Sequence, residues 1–158
     1  MSSTITHAVT ASFIALTCSH VAPGATTYVI AALVSGCIVD LDHLPSIIRD
    51  WKFYRQNGFT GNMHRSRSVF HELIGLLAVG ALSGLLFLND HKLASIVFIA
   101  YAIHLVQDWL LGKTQPFRPF DCTFVQFFKL TAMQKVFIDL ATLAVFGGLW
   151  ILYLSGDL

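Results

Sequence analysis

Three stretches of the chain stay apolar long enough to form helices through a lipid core, which takes about 20 residues, with a range of roughly 17 to 25. They are Val69 to Leu88, Leu93 to Leu111 and Val136 to Leu154, and the last two hold almost nothing that breaks a helix. An earlier apolar region, His7 to Val39, is interrupted by His20, Pro23 and Gly24. That interruption predicts two shorter helices joined by a tight turn. Between these segments lie a polar stretch from Asp40 to Ser68 and a second connector from Gly112 to Ala132, whereas Asn89 to Lys92 is only a turn. The pattern predicts an all-α fold: a polytopic transmembrane helical bundle of about five spans, the first two short, in a single domain over residues 1–158 without internal repeats.

Composition agrees with a membrane class. The chain is 55% apolar and 12% charged, against about a quarter charged in ordinary soluble domains. With net charge +1 and no basic run, no nucleic-acid partner is expected, and membrane lipids are the expected surroundings. Location of charge is more telling than its total. Arg49, Lys52, Arg55, Arg65, Arg67, Lys113, Arg118, Lys129 and Lys135 fall on the side shared by the N-terminus and the two long connectors, and only Lys92 falls opposite. The positive-inside rule makes that side cytoplasmic, in a multi-pass protein of the cytoplasmic (inner) membrane. The opening segment lacks the positive region of a secretory signal and is expected to be retained. Cys18, Cys37 and Cys122 form no C-x-x-C pair and indicate neither a disulfide framework nor a thiolate zinc site. Trp51, Phe53 and Trp109 read as interface-belt aromatics, and Asp139 is expected to pair with Lys135 outside any site.

On this map the histidines and carboxylates gather at one side. His7 opens the first span, Asp40, Asp42 and His43 follow the second, His64, His71 and Glu72 flank the start of the third, and His104 and Asp108 lie late in the fourth. His104 and Asp108 are four apart and share a helix face, so one ion can be addressed from a single span. An ionisable pair inside an apolar span is costly to insert and marks function by default, although a hydrogen-bonded pair that locks helices is the plain alternative. Asp40 and Asp42 cannot both point the same way on a helix, so one ligates and the other orients or bridges, unless the cluster is only a solvated cap. Arg65 and Arg67, between two histidines, offer guanidinium forks for phosphate, or anchor the headgroup region. Glu72 is a candidate acid–base group or a helix-start acid.

A single polar site explains four distant segments at once. Mixed imidazole and carboxylate ligands suit zinc, with manganese or iron as alternatives, and the supply exceeds four positions, so one or two divalent ions are expected. His20 and His91 fall on the other side and stay outside it.

These motifs in this order resemble the YdjM-type family of membrane-bound metal-dependent hydrolases. The resemblance runs through almost the whole chain and rests on Thr6–His7, on Asp40, Asp42 and His43, on His64, Arg65 and His71, on His104 and Asp108, and on the Pro116–Phe120 loop. Two positions depart from the family's pattern: Val39 stands where proline is usual, and His64 and His71 are seven apart. A weaker similarity links the early histidine, the aspartate and the H-x3-D helix to zinc-dependent phospholipase C enzymes, which implies phosphoester chemistry by analogy. The expected function is therefore a membrane-bound metal-dependent hydrolase of a lipid or lipid-linked phosphoester. Its metal ligands would be drawn from His7, Asp40, Asp42, His43, His64, His71, His104 and Asp108, with Glu72, Arg65 and Arg118 as catalytic candidates. The rivals are a non-catalytic metal-binding membrane protein or transporter, and a small structural membrane partner with a relic polar cluster.

Overall fold

The computed structural model describes residues 4–44, 48, 51–57 and 69–158. In chain order these form α1 (Thr4–Cys18), α2 (Thr26–Cys37), a 3-10 turn (Ile38–Asp42), α3 (Trp51–Asn57), a 3-10 turn (Val69–His71), α4 (Leu73–Phe87), α5 (His91–Leu111) and α6 (Ala132–Ser155). Among the described residues there is no strand, only an isolated antiparallel bridge between Thr114 and Val125 in the connector before α6.

Helix boundaries follow local chemistry. Asp90 caps α5 by accepting the Leu93 N–H at 2.9 Å, which starts the helix inside the expected turn. Thr131 and Gln134 form a reciprocal capping box at the start of α6, four residues before the apolar run begins. Gly156, at φ 84°, closes α6 in the left-handed conformation that glycine adopts without strain. The third apolar stretch begins later than its hydropathy predicts. Glu72 is extended, at φ −120° and ψ 180°, and the Phe70 carbonyl, which a continuous helix would give to the Ile74 N–H, accepts the Tyr101 hydroxyl instead. Gly75 is needed there because a Cβ would run into both the Phe70 carbonyl and Tyr101.

Helix α5 is the hub, packing against α1, α2 and α4, while α1 also packs against α2 and α6. Small residues let the backbones of the hub approach closely: Ala11 and Ala15 of α1, Ala32 of α2 and Ala100 of α5 are all buried, with Leu16, Ile96 and Phe13 filling between them. Trp150 Nε1 donates to the Val9 carbonyl at 2.9 Å, and the Tyr153 hydroxyl to the Val21 carbonyl at 2.8 Å, so α6 is fastened to α1 through polar tips of aromatic side chains. At the end of the bundle where α1 turns into α2, the Tyr28 hydroxyl donates to Asp90 at 2.9 Å and ties that turn to the one before α5.

Among the described residues, two helices, α5 and α6, are long and apolar enough to cross a membrane. They differ in what surrounds them. Of the apolar window of α5, 39% is buried in the protein, against 6% for α6, so α6 turns nearly all its apolar surface outward, as a lipid-facing helix does. Helices α1 and α4 have 15 residues each, about 22 Å of helix against a hydrocarbon core of about 30 Å.

Candidate metal centre

The alternating direction of α1, α2, α4 and α5 brings four element ends to one end of the bundle. The start of α1 contributes His7; the end of α2 and its 3-10 turn contribute Asp40 and His43; the turn before α4 contributes His71 and then Glu72; the end of α5 contributes His104 and Asp108. Their burial is nearly complete. His71, His104 and Asp108 are 0% exposed and His7 is 1% exposed, with His43 and Glu72 also buried.

The ring nitrogens are arranged by their partners. His104 Nδ1 lies 2.7 Å from the Gly36 carbonyl, which can only accept, so this nitrogen carries a proton and Nε2 is the nitrogen turned toward the carboxylates. His7 Nδ1 donates in the same sense to Gln107 Oε1 at 2.9 Å. The two rings are stacked with centroids 4.1 Å apart, a contact that two neutral imidazoles tolerate better than two imidazolium ions. Histidines that bind metals almost always have their second nitrogen held in this way.

The inward nitrogens meet carboxylates at a telling separation. His7 Nε2 is 3.5 Å from Asp108 Oδ1, His104 Nε2 is 3.5 Å from Asp40 Oδ1, and His71 Nε2 is 3.7 Å from both Asp40 Oδ1 and Asp108 Oδ2. These distances exceed a hydrogen bond. Two ligands on one tetrahedral ion at about 2.0–2.2 Å lie roughly 3.3–3.6 Å apart, so the spacing is close to that of neighbouring ligands. Among the described residues, Nε2 of His7 and Nε2 of His104 have no hydrogen-bond partner despite complete burial. A polar atom in that state costs free energy unless something satisfies it.

The donors fall into two trios, His7 with His104 and Asp108, and Asp40 with His43 and His71, each with its ligand atoms within 4.8 Å of one another. Both trios join imidazole to carboxylate, and they abut through the His104–Asp40 and His71–Asp108 approaches. Imidazole nitrogens set against carboxylate oxygens are the donor types that divalent transition metals take. The donor set therefore fits a metal ion.

Of the residues singled out in the sequence, His7, Asp40, His43, His71, His104 and Asp108 come together. The side chain of Asp42, and both His64 and Arg65, lie outside the described residues. Glu72 is buried beside His71 in the chain, and its Oε1 accepts the Gln115 N–H at 3.1 Å. Arg118 sits in the connector after α5, half-buried against the start of α4. Trp109 is half-buried against Val39, Tyr101 and Leu105, and its Nε1 donates to the His71 carbonyl at 3.4 Å. Asp90, at the far end of the bundle, is held below the usual carboxylate range by the Leu93 N–H and the Tyr28 hydroxyl and takes no part.

Gln107 and Gly36 were not visible as site residues. Gln107 did carry a signal, a carboxamide within the apolar run of α5, but its partner His7 is 100 positions away. Replacing Gln107 with leucine leaves His7 Nδ1 without its acceptor and releases the ring's tautomer. Metal affinity is expected to fall 10- to 100-fold, measured by competition with a chromophoric chelator, while helix content by circular dichroism stays unchanged; an unaltered affinity would remove Gln107 from the site.

No curated protein matches the chain, and no solved structure matches it. The family model of the YdjM inner membrane protein matches residues 1–155. With nearly every residue covered, from the helix that carries His7 to the end of α6, the chain belongs to the YdjM inner membrane protein family.

Proposed function

We propose that this protein is a membrane-bound metal-dependent hydrolase that cleaves a phosphoester of a lipid or lipid-linked substrate. The observation that carries the reading is the convergence of three histidine Nε2 atoms on two aspartates, the partly buried Asp40 and the buried Asp108, from element ends far apart in sequence. One or two divalent ions are held there, zinc by preference and manganese or iron as alternatives. A bound ion of this kind supplies an acidified water and a Lewis acid for the ester oxygen. The chain's own groups do the rest: Gly36 and Gln107 hold the imidazole protons outward, Glu72 is placed to take a proton beside His71, and Arg118, with Arg65, offers a fork for phosphate oxygens.

In this reading the helices form five spans, the shorter ones inside the bundle, and the site faces the cytoplasm because nine of the ten lysines and arginines share its side. The opposite half of α5 is packed through the apolar Ala94, Ile96 and Ala100, which favours a one-sided site over a transport route.

The test is elemental analysis of the purified protein before and after chelation, together with hydrolysis of phospholipid substrates in mixed micelles. One or two equivalents of metal per chain are expected, with activity lost on chelation and restored by zinc. Protein without stoichiometric metal, or turnover indifferent to chelation, overturns the proposal; metal without turnover on a broad lipid panel leaves the non-catalytic metal-binding reading.

A further inference from the structure

At the start of α4, two residues along the chain from His71, lies a cleft of about 140 Å³. Leu73, Ile74 and Leu77 of α4 form one wall, and Phe117, Arg118 and Phe120 of the connector after α5 form the other. Arg118 is the one cation among its lining residues. The cleft is open: Leu77 is 65% exposed and Phe120 is 91% exposed, and a contiguous exposed apolar surface marks a lipid or partner contact. Its two walls are tied to each other and to Glu72 by hydrogen bonds. The Leu73 N–H donates to the Pro116 carbonyl at 3.2 Å, and the adjoining Gln115 N–H donates to Glu72, one residue on from His71.

We propose that this cleft seats the upper part of one acyl chain of an anionic phospholipid, with its phosphate on the Arg118 guanidinium. The inference rests on the hydrolase reading and gives that site its substrate class: a lipid taken laterally from the leaflet, its tails still in the hydrocarbon. Charge and shape select this occupant. A free phosphate would make no use of the apolar walls, and an uncharged lipid would make no use of Arg118, whose planar fork matches phosphate oxygens. The cleft has room for a short length of hydrocarbon only, which fits a substrate that remains partly in the membrane.

Native mass spectrometry of the whole chain in neutral detergent tests the idea with three probes: dioleoyl phosphatidylglycerol, dioleoylglycerol without phosphate, and glycerol phosphate without chains. One phosphatidylglycerol per chain is expected, with either half-molecule bound at least tenfold more weakly. Arg118→Gln and the exposed Leu77→Gln should each lower lipid retention roughly tenfold, Arg118→Lys should recover part of it, and metal content should match wild type in every variant. Retention at the wild-type level by both Arg118→Gln and Leu77→Gln overturns the inference, as does glycerol phosphate binding as tightly as the lipid. A metal-loaded wild type whose lipid ignores both variants ends this inference and leaves the hydrolase reading standing. Cleft-dependent lipid binding without metal supports the cleft and ends the hydrolase reading.

Discussion

Under the proposed hydrolase reading, Asp108→Asn protein is expected to lose metal binding and at least about 100-fold in hydrolytic rate, beyond what removal of an outer partner of a ligand typically costs, while remaining folded. Asp108 is the carboxylate that three histidines share: Oδ1 faces His7 at 3.5 Å, and Oδ2 faces His71 at 3.7 Å and His104 at 4.0 Å. Asparagine keeps the volume but replaces an anionic oxygen with an amide NH2. That group can donate to a histidine lone pair, so the metal-free cluster is better satisfied in the variant than in the wild type. Thermal unfolding separates the two effects. Zinc at 100 times its dissociation constant should stabilise the wild type by about 2.7 kcal/mol, and the variant should show almost no zinc-dependent shift. A variant stabilised by zinc as strongly as the wild type would show that Asp108 is a structural acid and not a ligand.

The parts of this architecture that could be read in the sequence are those written in side-chain polarity. Long apolar runs marked α5 and α6, and the Pro23–Gly24 break marked the turn between α1 and α2. Boundaries were less legible, because a cap is decided by two or three residues: the Thr131–Gln134 box starts α6 at Ala132, ahead of its apolar run. The run from Val69 looked like a full span, yet helix begins only at Leu73, since Tyr101, 31 positions from Phe70, takes the carbonyl that would have continued it. In the site, histidines and aspartates stood out because an apolar background makes each of them costly. What holds them in position did not stand out. The Gly36 carbonyl carries no mark in a sequence, and the indole of Trp109 looks the same whether it meets headgroups or the His71 carbonyl. Polarity locates candidate ligands; the ring nitrogen each histidine turns toward the cluster is set by contacts between distant segments.

Glu72→Gln is expected to separate binding from chemistry, with metal content preserved and the rate of hydrolysis reduced by roughly 10²- to 10⁴-fold, the range for loss of a positioned proton carrier. Glu72 is 2% exposed and sits between His71 and the first residue of α4, where an acid contributes no side-chain cap to the helix. Its Oε1 accepts the Gln115 N–H, and a glutamine oxygen at the same position can accept that hydrogen bond equally well. Docking of the connector, and with it the cleft around Arg118, is therefore retained in the variant, while the group can no longer take up a proton. If Glu72 serves only to hold the connector against α4, the glutamine variant should hydrolyse lipid within about threefold of wild type and Glu72→Ala should be the damaging change. If it carries a proton, both variants fail, and the acid limb of the pH–rate profile, which reports a group that must be deprotonated, disappears from the residual activity of Glu72→Gln. A glutamine variant with near-normal turnover and an unchanged pH profile would reassign Glu72 to positioning and move the proton acceptor elsewhere in the cluster.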